Sequence, residues 1–150
     1  MSERFLEVTP EAGAALFSRH ISGEVVMLNL LRFREVADYT EFPDLAPSEP
    51  ISGRAAYQKY IDHTRPFLEK SGGELLFLGE GGQFLIGPPD EPWDLMMLVR
   101  QNSLADFMAF ASDEAYLAGM GHRTAALLDS RLLPLVEFKD GNITEGQAEN

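Results

Sequence analysis

Cysteine is missing from this chain, which rules out a disulfide framework, thiolate metal sites and a cysteine nucleophile. The absence fits a reducing compartment, and cytoplasm is the expected location. Cations are scarce: 12 Lys and Arg stand against 24 Asp and Glu, for a net charge of −12. Such a chain repels phosphate backbones and anionic lipid heads, because phosphate neutralisation supplies most nonspecific nucleic-acid affinity. Neither nucleic acid nor a membrane is expected as a partner. No apolar run approaches the roughly 18 residues of a membrane span, and Met1–Glu7 lacks the basic flank and apolar block of a secretory signal. Histidine is also sparse. His20, His63 and His122 show no metal-ligand spacing, and no glycine-rich phosphate loop follows a strand. No metal and no cofactor are expected.

What is present suffices for one core. With 45% hydrophobic and 10% aromatic residues in 150, the chain reads as a single domain over residues 1–150, its core at about 25–138 and a flexible tail over 139–150. Thr9, Pro10 and Glu11 open a short helix to about His20: a hydroxyl cap, a proline where no hydrogen bond is lost, and an acid near the positive end of the dipole. His20, just ahead of Gly23, reads as a capping residue. Val25–Phe33 is a strand, with Val25, Met27, Asn29, Leu31 and Phe33 on one face and Val26, Leu28, Leu30 and Arg32 on the other. Residues 34–50 carry Pro43, Pro47, Pro50 and several acids, and are expected to be a lid, a binding loop or disorder.

Ser52 caps a helix from about Gly53 to Lys70, closed by Gly72 and Gly73, and Pro66 inside it predicts a kink just after His63. Glu74–Glu80 and Gln83–Gly87 are two strand-like runs flanking Gly81 and Gly82, either one bent strand or a hairpin. Trp93 precedes another strand, Asp94–Gln101, apolar on both faces. Ser103 and Asp106 open a helix through Phe110, and Ser112 and Asp113 restart a helical stretch to about Asp129. Gly119 and Gly121 inside it imply close packing or a bend. Arg131–Phe138 is the last strand, and Pro134 places it at a sheet edge or a bulge.

Setting the first helix aside, the order is strand, helix, strand, strand, helix, strand. This is the split arrangement of an α+β ferredoxin-like fold: a βαββαβ antiparallel sheet with helices on one face, here with an extra N-terminal helix. The first and third strands are central in it and both are apolar on both faces, while the chain's own helices cover only one. A second copy packing sheet to sheet is the simplest cover, so a homodimer is expected.

Six stretches carry a likeness to a known family. They are Leu98 and Val99 in a strand; Ser103 opening a helix; Phe110, Ser112, Asp113, Glu114 and Tyr116; Arg123; Arg131 leading into the last strand; and Gly72 with Gly73 after a proline-containing helix. In these residues the chain resembles the family called domain of unknown function 1330, a branch of the dimeric α/β-barrel superfamily. The resemblance implies the fold and the dimer, and no reaction, since that family has none assigned. Similar barrels include cofactor-independent oxygenases, small-molecule isomerases and haem enzymes.

The candidate site residues each have a competing structural role. His122 projects from a helical face of small residues, Ala118, Gly119, Ala125 and Ala126, which implies either very close packing or a cavity. His63, one turn from Tyr60 and beside the kink, is the other acid/base candidate, against ordinary core packing. Asn29 sits mid-strand, where an unpaired amide costs roughly 1 to 3 kcal/mol, so it bonds either a ligand or a neighbouring loop or strand. Arg32 recognises an anion or pairs with loop acids, Trp93 stacks on a ligand or plugs the core, and Tyr60 and Arg123 position a substrate or pack. The expected function is binding of a small molecule, with turnover of a small aromatic or carbonyl metabolite by a cofactor-independent oxygenase or isomerase. A non-catalytic ligand-binding or interaction protein of the same fold is the alternative, and haem held by one histidine is a third.

Overall fold

The structure, a computed structural model, describes residues 4–144. Its elements in chain order are α1 (Pro10–Ser18), β1 (Val25–Phe33), α2 (Gly53–Lys70), β2 (Glu74–Gly82), β3 (Trp93–Gln101), α3 (Leu104–Ala111), α4 (Glu114–Leu117), α5 (Met120–Ala126) and β4 (Leu127–Leu135). The strands form one sheet in the order β2-β3-β1-β4, antiparallel throughout. That order and connectivity are the α+β ferredoxin-like fold, with β1 and β3 central and β4 at an edge. Pro134 lies in β4 opposite Met27, on a strand with one neighbour, where its missing donor is tolerated.

The helix starts follow from local chemistry. The hydroxyls of Thr9, Ser52 and Ser103 accept from the amides of Ala12, Ala55 and Asp106 at 3.0–3.1 Å, and the Asp113 carboxylate caps α4. Gly72, at φ 87, ends α2, which runs unbroken through Pro66. His20 stands beyond the last turn of α1 at φ 52, so it closes that helix as a left-handed residue.

Three boundaries differ from the sequence reading. The helical stretch expected from Ser112 to Asp129 is two short helices, broken at Gly119, and ends at Ala126. The last strand accordingly begins at Leu127 and stops at Leu135, because Phe33 pairs with Leu127 and draws residues 127–130 into the sheet. Gln83–Gly87 is not a strand. Gly81 and Gly82 belong to β2, and the β2–β3 connection runs over residues 83–92, where Pro88, Pro89 and Pro92 withhold the donors a continued ladder needs. Residues 139–144 carry no helix or strand, and the rest of the expected flexible tail, 145–150, lies outside the described residues.

Residues 34–50 form no regular structure apart from a 3₁₀ turn at Pro43–Leu45, yet they are tied to the body. Arg34 and Asp38 donate to the carbonyls of Ala126 and Ala125 at 2.8 and 2.9 Å, and Ala37 donates to that of Ile51 at 2.9 Å. The sheet's helix-covered face and α2, α4 and α5 enclose the core: Leu31, Met97 and Leu127 from strands, Ala56, Tyr57 and Tyr60 from α2, Tyr116, Ala125 and Ala126 beyond. By alternation Val26, Leu28, Leu30, Met96, Leu98 and Leu133 point to the opposite face, and none belongs to that core or packs against it.

Candidate functional site

Around His122 the loop, α2 and α5 converge. The hydroxyl of Tyr39, from the 34–50 loop, lies 2.7 Å from His122 Nδ1, and the two rings meet edge to face with centroids 5.6 Å apart. Tyr39 is buried and His122 half-buried. Close approach of the loop depends on Gly121, where a Cβ would meet Leu45 and Phe42 at 2.6 Å. His63, on α2, is bonded through Nε2 to the Ala115 carbonyl at 2.8 Å, and the bare Cα of Gly119 makes room for its ring. Loss of hydration lowers the His122 pKa below its ordinary value, with the Lys59 ammonium and His63 adding to the effect. The ring is therefore neutral near pH 7. Burial raises the Tyr39 pKa, so the phenol keeps its proton. Two arrangements satisfy the bond: Tyr39 donates to Nδ1 and leaves Nε2–H as a donor, or Nδ1–H donates to Tyr39 and leaves Nε2 as a base.

Tyr60 and Arg123 lie deeper. Tyr60 and Tyr116 share a buried hydroxyl bond of 2.7 Å, and Tyr116 donates onward to Met120 Sδ at 3.2 Å. Tyr57 packs on Tyr60 with ring centroids 5.1 Å apart. Burial pushes the Tyr57 and Tyr116 phenols far above the usual range, so both stay protonated. Arg123 donates to the Leu6 carbonyl at 3.0 Å and to Ser130 Oγ at 3.4 Å, joining the N-terminal segment to β4.

Arg32 and Trp93 form a separate cluster where β1 ends and β3 begins. Arg32 Nε donates to the Pro92 carbonyl at 2.9 Å, and its guanidinium stands 5.3 Å from the Trp93 ring centroid. Arg131 stands 4.9 Å from the same ring and 4.8 Å from that of Phe5, while also pairing with Asp129 at 2.8 Å. Trp93 is buried and donates to Glu91 at 3.2 Å. Asn29 joins neither cluster. Its amide donates to the Met27 carbonyl of its own strand at 3.3 Å, and its cross-strand neighbours are Met97 and Leu132. The structure thus brings His63 near His122, and Arg32 to Trp93, and keeps Asn29 and Arg32 on opposite faces. Tyr39 and Lys59 were not singled out by sequence; the signal for Tyr39 is a single tyrosine in an otherwise acidic, proline-rich loop. Among the described residues no three His, Asp or Glu side chains are grouped to hold a metal ion, and no helix is long and apolar enough to cross a membrane.

No protein-family model matches the sequence, and no curated protein is significantly similar to it. Among the solved structures similar to it are the crystal structure of RPA0582 from Rhodopseudomonas palustris, a protein of unknown function, and that of methylated RPA0582. The methylated form is 32% identical, with a TM-score of 0.81 over 93% of this chain and 98% of that one. The other is 32% identical, with a TM-score of 0.80 over 91% and 99%. This chain belongs to the RPA0582 family. That family brings the fold over nearly its whole length and no activity, so the reading of function rests on the clusters above.

Proposed function

We propose that this member of the RPA0582 family is a homodimeric small-molecule-binding protein in which His122 moves a proton on a small aromatic or carbonyl-bearing metabolite, as a cofactor-independent isomerase or oxygenase. The observation that carries the reading is the 2.7 Å contact between Tyr39 and His122 Nδ1. It holds the ring's orientation and leaves Nε2 without a partner among the described residues, and loss of hydration keeps the ring neutral at physiological pH. The homodimer is supported by the apolar outer sheet face, where Leu133 is 53% exposed and Phe77 50%. The likeness to domain of unknown function 1330 adds a dimeric barrel as the expected assembly.

The test begins with native mass spectrometry of the purified protein to identify a co-purifying molecule. Turnover of that molecule is then followed in wild type, His122→Ala and Tyr39→Phe. Loss of turnover in His122→Ala, with folding and binding retained, supports the reading; undiminished turnover sinks it. A binding role without turnover is favoured by one observation: His63, Tyr60 and Arg123 all spend polar atoms on protein partners. Binding that survives both substitutions, with no product formed by wild type, establishes that second reading.

A further inference from the structure

The β2–β3 connection carries the most exposed apolar side chains of the described residues: Leu85 is 100% exposed and Ile86 93%, with Phe84 at 40%. This arm is not a loose loop. Gln83 Nε2 donates to the Pro89 carbonyl at 3.5 Å, Arg32 Nε holds the Pro92 carbonyl at 2.9 Å, and Trp93 Nε1 holds Glu91 at 3.2 Å. Phe84 folds back over Gly87, where a Cβ would meet its ring at 2.6 Å. Pro88 and Pro89 stiffen the return. Leu85 and Ile86 are therefore presented outward by a pinned frame, at little ordering cost on association. At the arm's root lies a cavity of about 250 Å³ lined by Leu30, Phe84, Leu85, Trp93 and Met96 among others, which takes in Leu30 and Met96 of the uncovered face.

We propose that this arm is a clasp onto a second copy of the chain, with Leu85 and Ile86 of each subunit packing on the apolar outer sheet face of the other. The inference rests on the homodimer reading and specifies which segment completes the interface. A two-fold assembly covers both uncovered surfaces in one operation, because an isologous contact brings each copy's projection onto the other's recess. Charge permits it. The chain's net charge is −12, yet on the outer face Arg32, Arg100 and Arg131 are matched by Glu74, Asp94 and Asp129, so two copies can meet there without the repulsion their net charge would impose elsewhere. The residues outside the description, 1–3 and 145–150, are mostly polar and offer no apolar segment to cover the face instead.

Sedimentation equilibrium of wild type and of the Leu85→Ser/Ile86→Ser double variant tests the clasp. Both side chains are exposed in the single chain, so the variant keeps its fold, which circular dichroism checks. A dimer dissociation constant raised about tenfold or more is expected from two lost apolar contacts. An unchanged constant overturns the clasp and leaves the homodimer intact, whereas wild type sedimenting as one chain overturns both. An Ile86→Cys variant labelled with acrylodan, specific because the chain has no other cysteine, should shift its emission to the blue with protein concentration. A shift produced by phosphatidylcholine vesicles in place of protein concentration assigns the arm to a lipid surface and overturns the proposal.

Discussion

The surroundings of His122 and Asp129 shift their titration and so link stability to pH. For His122 the folded pKa lies below the ordinary 6.5. The neutral ring's contribution to stability is then fully present above pH 6.5 and is lost as pH falls through the folded value. An NMR titration should give His122 a midpoint below 6.5, and a midpoint at or above it would contradict the half-buried setting. Asp129 is 4% exposed and accepts from the amides of Phe5 and Ser130, each at 2.9 Å, and from Arg131 at 2.8 Å. Burial alone would raise its pKa, but those donors outweigh burial and hold it below the ordinary 3.8. Its contribution is complete above pH 3.8 and fades as pH falls further. Asp129→Ala, which strands those donors, should cost about 1 to 3 kcal/mol in urea unfolding at pH 7.

At the scale of elements, glycines decide how close the loop, α2 and α5 come. A Cβ at Gly53 would run into the carbonyls of Arg34 and Ala126, both backbone atoms with nowhere to go. Gly53→Ala should therefore destabilise by about 1 to 3 kcal/mol, read by thermal or urea unfolding. Gly121→Ala pushes instead on Phe42 and Leu45, side chains of the 34–50 loop. Lifting that loop rehydrates Tyr39 and His122, so the His122 midpoint should move up toward 6.5 while the fold persists; an unmoved midpoint would mean that the loop does not govern the ring's environment.

For the whole molecule, the decisive feature is a sheet covered on one side only. Leu28, Leu30, Met96 and Leu98 sit on its two central strands, opposite the helices, and stand outside the core. An ammonium among them is incompatible with a dry interface, because burying an unpaired charge costs far more than one side chain's apolar contact returns. If the proposed homodimer forms through this face, Met96→Lys should reduce the sedimenting mass from two chains to one without loss of secondary structure. A Met96→Lys protein that still sediments as two chains would contradict the proposed sheet-to-sheet homodimer.

Much of this architecture was legible in the residues themselves. Thr9, Ser52 and Ser103 announce helix starts because a hydroxyl satisfies an amide three residues away; Val25–Phe33 announces a strand because both its faces are apolar; Pro134 announces an edge because it cannot donate. These are local or pattern-level causes, and a chain read alone contains them. Misreadings occurred where a distant partner decided the outcome. Leu127 and Leu128 continue a helical apolar pattern, yet pairing with Phe33 makes them strand. Gln83–Gly87 is a short apolar run like that of a strand, yet β1 and β2 already occupy both edges of β3, and the prolines opposite refuse the ladder. The tyrosine that orients His122 comes from 83 residues away, and no spacing in the sequence encodes that contact. The sequence by itself determined the elements, their order and the two-sided apolar sheet, since these depend on neighbours along the chain; which side chains meet at His122, and which apolar residues stay uncovered, only the tertiary structure decided, because both depend on loops docking across the fold.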